Sequence, residues 1–215
     1  MEDRKKISIA VIRRLPRYYR YLSDLADNGI TRISSKELAR KMGTTASQIR
    51  QDLNCFGGFG QQGYGYNVMS LFTEIGRILG TEHNYKMVII GAGRLGRALA
   101  HYPNFIKRGY EITGIFDVSQ SIIGSIINGV EVMHLDYLKT FTKINKVDIA
   151  VLTVPSDSIR DATLTVCDAG IKGIWNFSPK ELNLSEDVVV ENVHLSDSLM
   201  VLGYSLTQKK KDETV

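Results

Sequence analysis

Three glycines and one aspartate carry the most specific chemistry in this chain. Gly91, Gly93 and Gly96 form a G-x-G-x-x-G pattern directly after the apolar run 87–90. Asp117 closes a second apolar run, roughly 20 residues beyond the last glycine. Each position meets a physical demand. Gly91 permits a tight turn, Gly93 lets backbone approach a pyrophosphate, and Gly96 lets a helix lie close to a strand. Free N–H groups at the start of that helix face phosphate charge. Asp117 can accept hydrogen bonds from a ribose hydroxyl and would repel a 2′-phosphate, so NAD(H) is favoured over NADP(H). Ala92, Arg94 and Leu95 inside the turn and Val118 beside the aspartate complete this candidate set.

These residues need a parallel strand, a helix and a second strand to hold them, the opening unit of a Rossmann sheet. Further along, 147–153 reads as a buried strand ending at Thr153, Val154 and Pro155, and 174–177 as another that contains Asn176 and Phe177. The carboxyl ends of such strands are where open α/β sheets bind ligands, so these five join the nucleotide set. A short helix is expected at 135–141 and another at 156–169, with more strand around 188–190 and 193–195. Between 122 and 132 only a Gly-punctuated connection is read. Ser196 starts an amphipathic helix to about residue 208, with a frayed charged tail from 209.

The first 80 residues have a different character. They carry 13 Lys and Arg against 7 Asp and Glu, whereas the remainder carries 14 against 16. The basic excess lies wholly in this part and points to an anionic partner, nucleic acid first. A helical pattern runs from Ser8 to Asn28, with Pro16 forcing a kink or a restart. After an extended piece at 31–34, Ser34 and Glu37 form a capping box, and Thr45 and Gln48 a second one beyond Gly43. Two short capped helices around a glycine turn are a helix-turn-helix, whose second helix offers Thr45, Ser47, Gln48, Arg50 and Gln51 to base edges. The glycines and aromatics of 56–66 suit a β-hairpin wing with Gln61 and Gln62 at its tip. An amphipathic helix over 68–79 precedes a boundary at 81–85.

The remaining composition narrows the class. A hydrophobic fraction of 43% and a charged fraction of 23% are those of a globular protein. No apolar run approaches the ~18 residues of a membrane span, and 1–6 lacks a signal-peptide core, so a cytoplasmic location is expected. Cys55 and Cys167 lack C-x-x-C partners, which argues against a disulfide framework or a metal site. A dehydrogenase would explain the Rossmann unit but leave the basic segment unused. The chain has no Tyr-x-x-x-Lys pair; of its four histidines His83 lies near the linker, His101 and His134 have no obvious carboxylate partner in sequence, and His194 stands alone. No catalytic residue is therefore assigned.

Taken together, a winged helix joined by the segment 54–66 to Gly-Ala-Gly-Arg-Leu-Gly and Leu-Thr-Val-Pro resembles the bacterial redox-sensing transcriptional repressor family Rex. Segments 14–22, 48–53, 101–103 and 170–179 carry the likeness across nearly the whole chain. The resemblance implies an N-terminal winged-helix DNA-binding domain (1–80), a doubly wound parallel-sheet Rossmann domain for NAD(H) (86–195) and a domain-swapped C-terminal dimerisation helix (196–208). It implies a homodimer that binds palindromic double-stranded operator DNA and is released by NADH, with NAD+ competing weakly. NADH and NAD+ would then be regulatory ligands and not co-substrates. It adds Tyr102 near the nicotinamide and extends the operator-facing set to Arg14, Tyr19, Ser35 and Tyr64. Two features depart from the family. Gln51, Gln61 and Gln62 stand where Lys or Arg is common, which predicts a weaker salt dependence. His194 replaces a usual acid, so an ion pair from that site to an arginine such as Arg20 is not carried over.

Overall fold

The computed structural model describes residues 7–56, 60–61 and 64–212, with backbone alone for residues 60, 61, 211 and 212. The chain divides into two compact units, residues 1–83 and 84–215.

In the first unit the expected Ser8–Asn28 helix is two helices, α1 (Ile9–Ile12) and α2 (Leu15–Asp27). Pro16 lies in the first turn of α2, where its missing N–H costs nothing. After β1 (Arg32–Ile33), α3 (Ser35–Met42) opens on the full Ser34–Glu37 capping box and closes on Gly43 in the left-handed conformation. Helix α4 (Ala46–Asn54) follows. Strands β2 (Gly60–Gln61) and β3 (Gly65–Asn67) pair antiparallel, and β3 also pairs with β1, giving a small sheet in the order β1-β3-β2. Asn67 caps α5 (Val68–Leu79) by accepting from the Ser70 N–H. Leu15, Tyr18, Leu22, Leu38, Ile49, Leu53, Leu71 and Ile75 form one core, and the Tyr19 ring stacks on Phe72 with centroids 4.4 Å apart.

The second unit runs β4 (Tyr85–Ile90), α6 (Arg94–Ala100), β5 (Tyr110–Asp117), β6 (Ile126–Ile127), β7 (Val130–His134), α7 (Leu138–Ile144), β8 (Ile149–Leu152), α8 (Ile159–Asp168), β9 (Gly173–Asn176), β10 (Val189–Asn192) and α9 (Leu195–Asp212). The sheet order is β10-β9-β8-β4-β5-β7-β6. All neighbours are parallel except β6, which returns antiparallel along β7. The chain winds outward from β4 through β5 and β7, then crosses back to β8, so the strand order reverses between β4 and β8. Alternate residues of the sheet feed two cores. Val88, Ile90, Phe116 and Leu152 join Leu138 of α7 and Ile159, Ala162 and Val166 of α8. Met87, Ile89, Ile115, Val132 and Val151 meet Ala100 of α6.

Three details differ from the sequence reading. The connection 122–132 contains β6 and the start of β7, joined by Asn128 and Gly129 at φ 49° and 80°, both left-handed as a tight hairpin turn requires. The expected strand region around 188–195 is the single strand β10. Helix α9 continues through the charged segment to Asp212 and exposes Leu195, Leu199, Met200, Val201, Leu202, Tyr204 and Leu206.

Candidate functional site

The glycine turn lies at the strand-order reversal. Gly91 has φ +102°, a region open to glycine. A Cβ at Gly96 would sit 2.0 Å from the Gly91 carbonyl oxygen, so α6 reaches the turn only because residue 96 has no side chain. Gly93 differs from both. Its φ is −71° and nothing lies within 4 Å of a Cβ built there. Nothing in the fold itself therefore requires glycine at 93; the open side is free for a ligand.

Hydrogen bonds from three directions fix this turn. The Ala92 N–H donates to Asp117 Oδ2 at 2.6 Å, and its carbonyl accepts from Arg97 Nε at 2.9 Å. The Thr153 hydroxyl lies 2.7 Å from the Gly91 carbonyl and donates to it. Asp117 Oδ1 also takes the Ser119 N–H at 2.9 Å. The aspartate thus positions the turn as well as offering its remaining lone pairs outward, and Thr153 acts through the turn.

The other expected nucleotide residues divide. Arg94, Val118, Pro155 and Tyr102 are exposed, and Leu95 and Val154 half-buried. Asn176 is a correction for its side chain. It is fully buried, with Nδ2 donating to the Lys180 carbonyl (2.8 Å) and Asn192 Oδ1 (2.7 Å) and Oδ1 accepting from the Ser178 N–H (2.9 Å). It ties β9 to β10 and to the loop after β9, with both amide hydrogens used inside the fold. Phe177 meets Trp175 edge-on at 4.6 Å, Trp175 meets Phe105 at 5.7 Å, and Phe105 meets Tyr102 at 4.8 Å. An aromatic run therefore joins Tyr102 to Phe177.

In the first unit, Thr45, Ser47, Arg50 and Gln51 are exposed on α4 as expected. The Ser35 hydroxyl accepts from Arg50 Nη1 at 3.1 Å. Three expectations are modified. The second capping box forms only in part: Thr45 Oγ1 accepts the Gln48 N–H at 3.1 Å, but the Gln48 side chain donates to Asp52 Oδ1 at 2.8 Å. Arg14 places Nε and Nη2 on Asp52, both at 2.6 Å, leaving only its outer edge for another anion. The Tyr19 ring stacks on Phe72 and is half-buried, so only part of it stays open. Tyr64 is exposed on the wing, its carbonyl held by Arg32 Nη1 at 3.2 Å. Gln62 and the Gln61 side chain lie outside the described residues.

Asp52 is the residue that sequence reasoning missed. It is 1% exposed and also accepts from the Tyr18 hydroxyl at 2.6 Å. Burial alone would raise its pKa, but hydrogen bonds from Arg14, Tyr18 and Gln48 outweigh this and hold the carboxyl below its ordinary range. Burial, then the bond to Asp52, pushes the Tyr18 phenol up. The available signal was Arg14, the N-cap of α2, and Tyr18 four residues on, facing an acid one turn after Gln48.

Two of the four histidines have a carboxylate within reach. His134 lies 3.3 Å from exposed Asp136, and His194 lies 3.6 Å from Glu181. Among the described residues no three of His, Cys, Asp and Glu converge as metal ligands, and no helix is long and apolar enough to cross a membrane.

Comparison with known proteins agrees with this geometry. A family model for the N-terminus of DNA-binding proteins matches residues 6–54, and a CoA binding domain model matches residues 82–180. The redox-sensing transcriptional repressor Rex of Caldicellulosiruptor saccharolyticus is 54% identical over 209 residues, covering 97% of this chain and 95% of the relative. The chain belongs to the Rex family. Two solved structures of RSP, a Rex-family repressor, are also similar. RSP in complex with NAD+ and operator DNA has a TM-score of 0.89 at 50% identity, covering 98% of this chain and 97% of RSP. RSP with NADH has a TM-score of 0.90 at 48% identity, covering 98% and 99%.

The turn and the buried acid each make a prediction. Gly93→Ala should leave thermal stability within about 0.5 kcal/mol of wild type, as at other open positions, while weakening NADH binding about tenfold or more, roughly 1.4 kcal/mol. Gly96→Ala should instead cost on the order of 2 kcal/mol of stability from overpacking. Thermal melts and titration of the Trp175 emission with NADH separate the two. Asp52 has a depressed pKa, so its stabilisation is complete above the ordinary aspartate range and is lost as pH falls through the folded value. Melting temperature should therefore fall on acidification below the ordinary aspartate range, and Asp52→Asn should flatten that part of the profile.

Proposed function

We propose that this chain is a redox-sensing transcriptional repressor, a regulator and not an enzyme. It binds a palindromic operator as a homodimer and releases it when NADH occupies the Rossmann unit. Support comes foremost from one observation: the chain matches, over nearly its whole length, a repressor solved with NAD+ and operator DNA and again with NADH. Residues 1–80 are the DNA-binding domain, 86–195 the NAD(H) domain and 196–208 the dimerisation segment. The cytoplasm, where operator and nucleotide pool meet, is its location.

The nucleotide set is the turn 91–96 with Asp117, Val118, Tyr102, Thr153, Val154, Pro155 and Phe177. Oxidised nicotinamide is cationic and reduced nicotinamide neutral. Enclosing the ring against Phe177 and its aromatic neighbours disfavours the cation, because a buried charge needs a partner. Such a difference shifts the dimer between DNA-bound and released forms only by the differential affinity it creates; moving a population from 1:99 to 99:1 takes about 5.5 kcal/mol.

The dimer reading is supported by two features of the second unit. Helix α9 exposes seven large apolar side chains, and an apolar cavity of about 380 Å³ lined by Met87, Phe105, Ile149, Ile174, Trp175 and Val189 opens on the sheet. The partner's α9 is the proposed occupant. Phe105 and Trp175 belong both to this cavity and to the aromatic run from Tyr102 to Phe177, so occupancy of the nicotinamide site and seating of the helix share side chains.

A gel shift of the full chain on a palindromic operator, at several NADH:NAD+ ratios, tests the proposal. NADH should release the DNA and NAD+ should not; equal release by both would overturn the redox reading, and hydride turnover on simple alcohols would revive the dehydrogenase. Asp117→Ala should blunt the NADH response while operator affinity stays near wild type.

A further inference from the structure

The side chain of Gln48 is held in one of its two possible amide orientations. The two ends of a glutamine amide are alike in shape but opposite in hydrogen bonding: Nε2 donates and Oε1 accepts. One turn further along α4 stands Asp52, 1% exposed, with an oxygen 2.8 Å from Gln48 Nε2. An ionised carboxylate has no proton to give. Turning the amide over would press Oε1 against a carboxylate oxygen with no hydrogen between them, in a site where bidentate Arg14 and the Tyr18 hydroxyl already fix the acid. Asp52 stays ionised there because those donors offset its burial. The orientation follows from the chemistry of the acid.

Gln48 is the third residue of α4 and remains partly exposed. In a helix-turn-helix the first turn of the second helix meets base edges. On the major-groove edge, adenine and cytosine present an amino donor where guanine and thymine present a keto acceptor.

We propose that Gln48 reads the operator with its carbonyl oxygen foremost, locked that way by buried Asp52, so that it selects an amino base over a keto base at one position of each half-site. Asp52 is a positioning residue: it touches no DNA and acts through Gln48. The inference rests on the operator-binding reading above. Neither Gln48 nor Asp52 alone carries it, since a free glutamine accepts or donates equally well and a buried acid alone has no reading surface.

The test uses the full-length protein and a pool of palindromic duplexes randomised through the half-site, sequenced after selection. The wild type should enrich adenine or cytosine at one half-site position. Gln48→Met, close in size but without the amide, should flatten that position about tenfold, the scale of one good base contact, and leave the other positions unchanged. Asp52→Asn, which can donate or accept, should relax the same position by freeing the amide. Unchanged preferences in Gln48→Met, or guanine or thymine at the position it controls, would overturn the proposal. A wild type that selects no sequence would instead overturn the operator-binding reading. Should Asp52→Asn not fold, hydrogen exchange of the side-chain amides in the wild type decides the lock. Gln48 should exchange more slowly than exposed Gln51, and equal rates would overturn the lock.

Discussion

The second unit depends on a side chain that is missing. Because residue 96 is glycine, the first turn of α6 can rest on the backbone of the strand that precedes it, with the Gly91 carbonyl where a methyl would otherwise stand. In the same turn the Ala92 N–H meets Asp117 at the end of β5 and the Gly91 carbonyl accepts from Thr153 at the end of β8. Three strand ends and one helix are thereby tied to a single turn. Hydrogen bonds within the fold hold the turn in place, which lowers the ordering cost of binding. Gly93, alone in open space, stands outside this arrangement.

The two units solve a similar problem with an acid in each. Asp117 is half-buried and holds main-chain N–H groups, so it shapes backbone. Asp52 is buried and holds side chains from α2 and α4, so it shapes a surface. A buried ionised carboxylate is costly unless its lone pairs are filled, and here Arg14, Tyr18 and Gln48 supply four donors. Removing any one leaves the charge of Asp52 less well compensated.

Much of this was legible in the sequence. The glycine fingerprint, the terminal aspartate, the Ser34–Glu37 box and the period of α5 are local signals whose physics is complete within a few residues. The strands 147–153 and 174–177 were visible as short apolar runs, the first trimmed to 149–152 and the second shifted one residue earlier to 173–176. What was not legible depends on partners far apart in the chain. Gln48 looked like half of a capping box because nothing nearby shows that Asp52 is buried and competes for its amide. Asn176 looked like a strand-end polar group open to a ligand, and only the approach of β10 and residue 180 shows that its hydrogen bonds are spent. The β6–β7 hairpin is a different case, since Asn128-Gly129 is a strong hairpin signal that was masked by reading the glycines around it as a connection.

Helix α9 follows every strand of both sheets in the chain. During synthesis it therefore leaves the ribosome after the sheet that carries the apolar cavity has already been made. Its seven exposed apolar side chains are left uncovered by the sheet made before them. The strand order of the sheet is thus complete without any residue of α9.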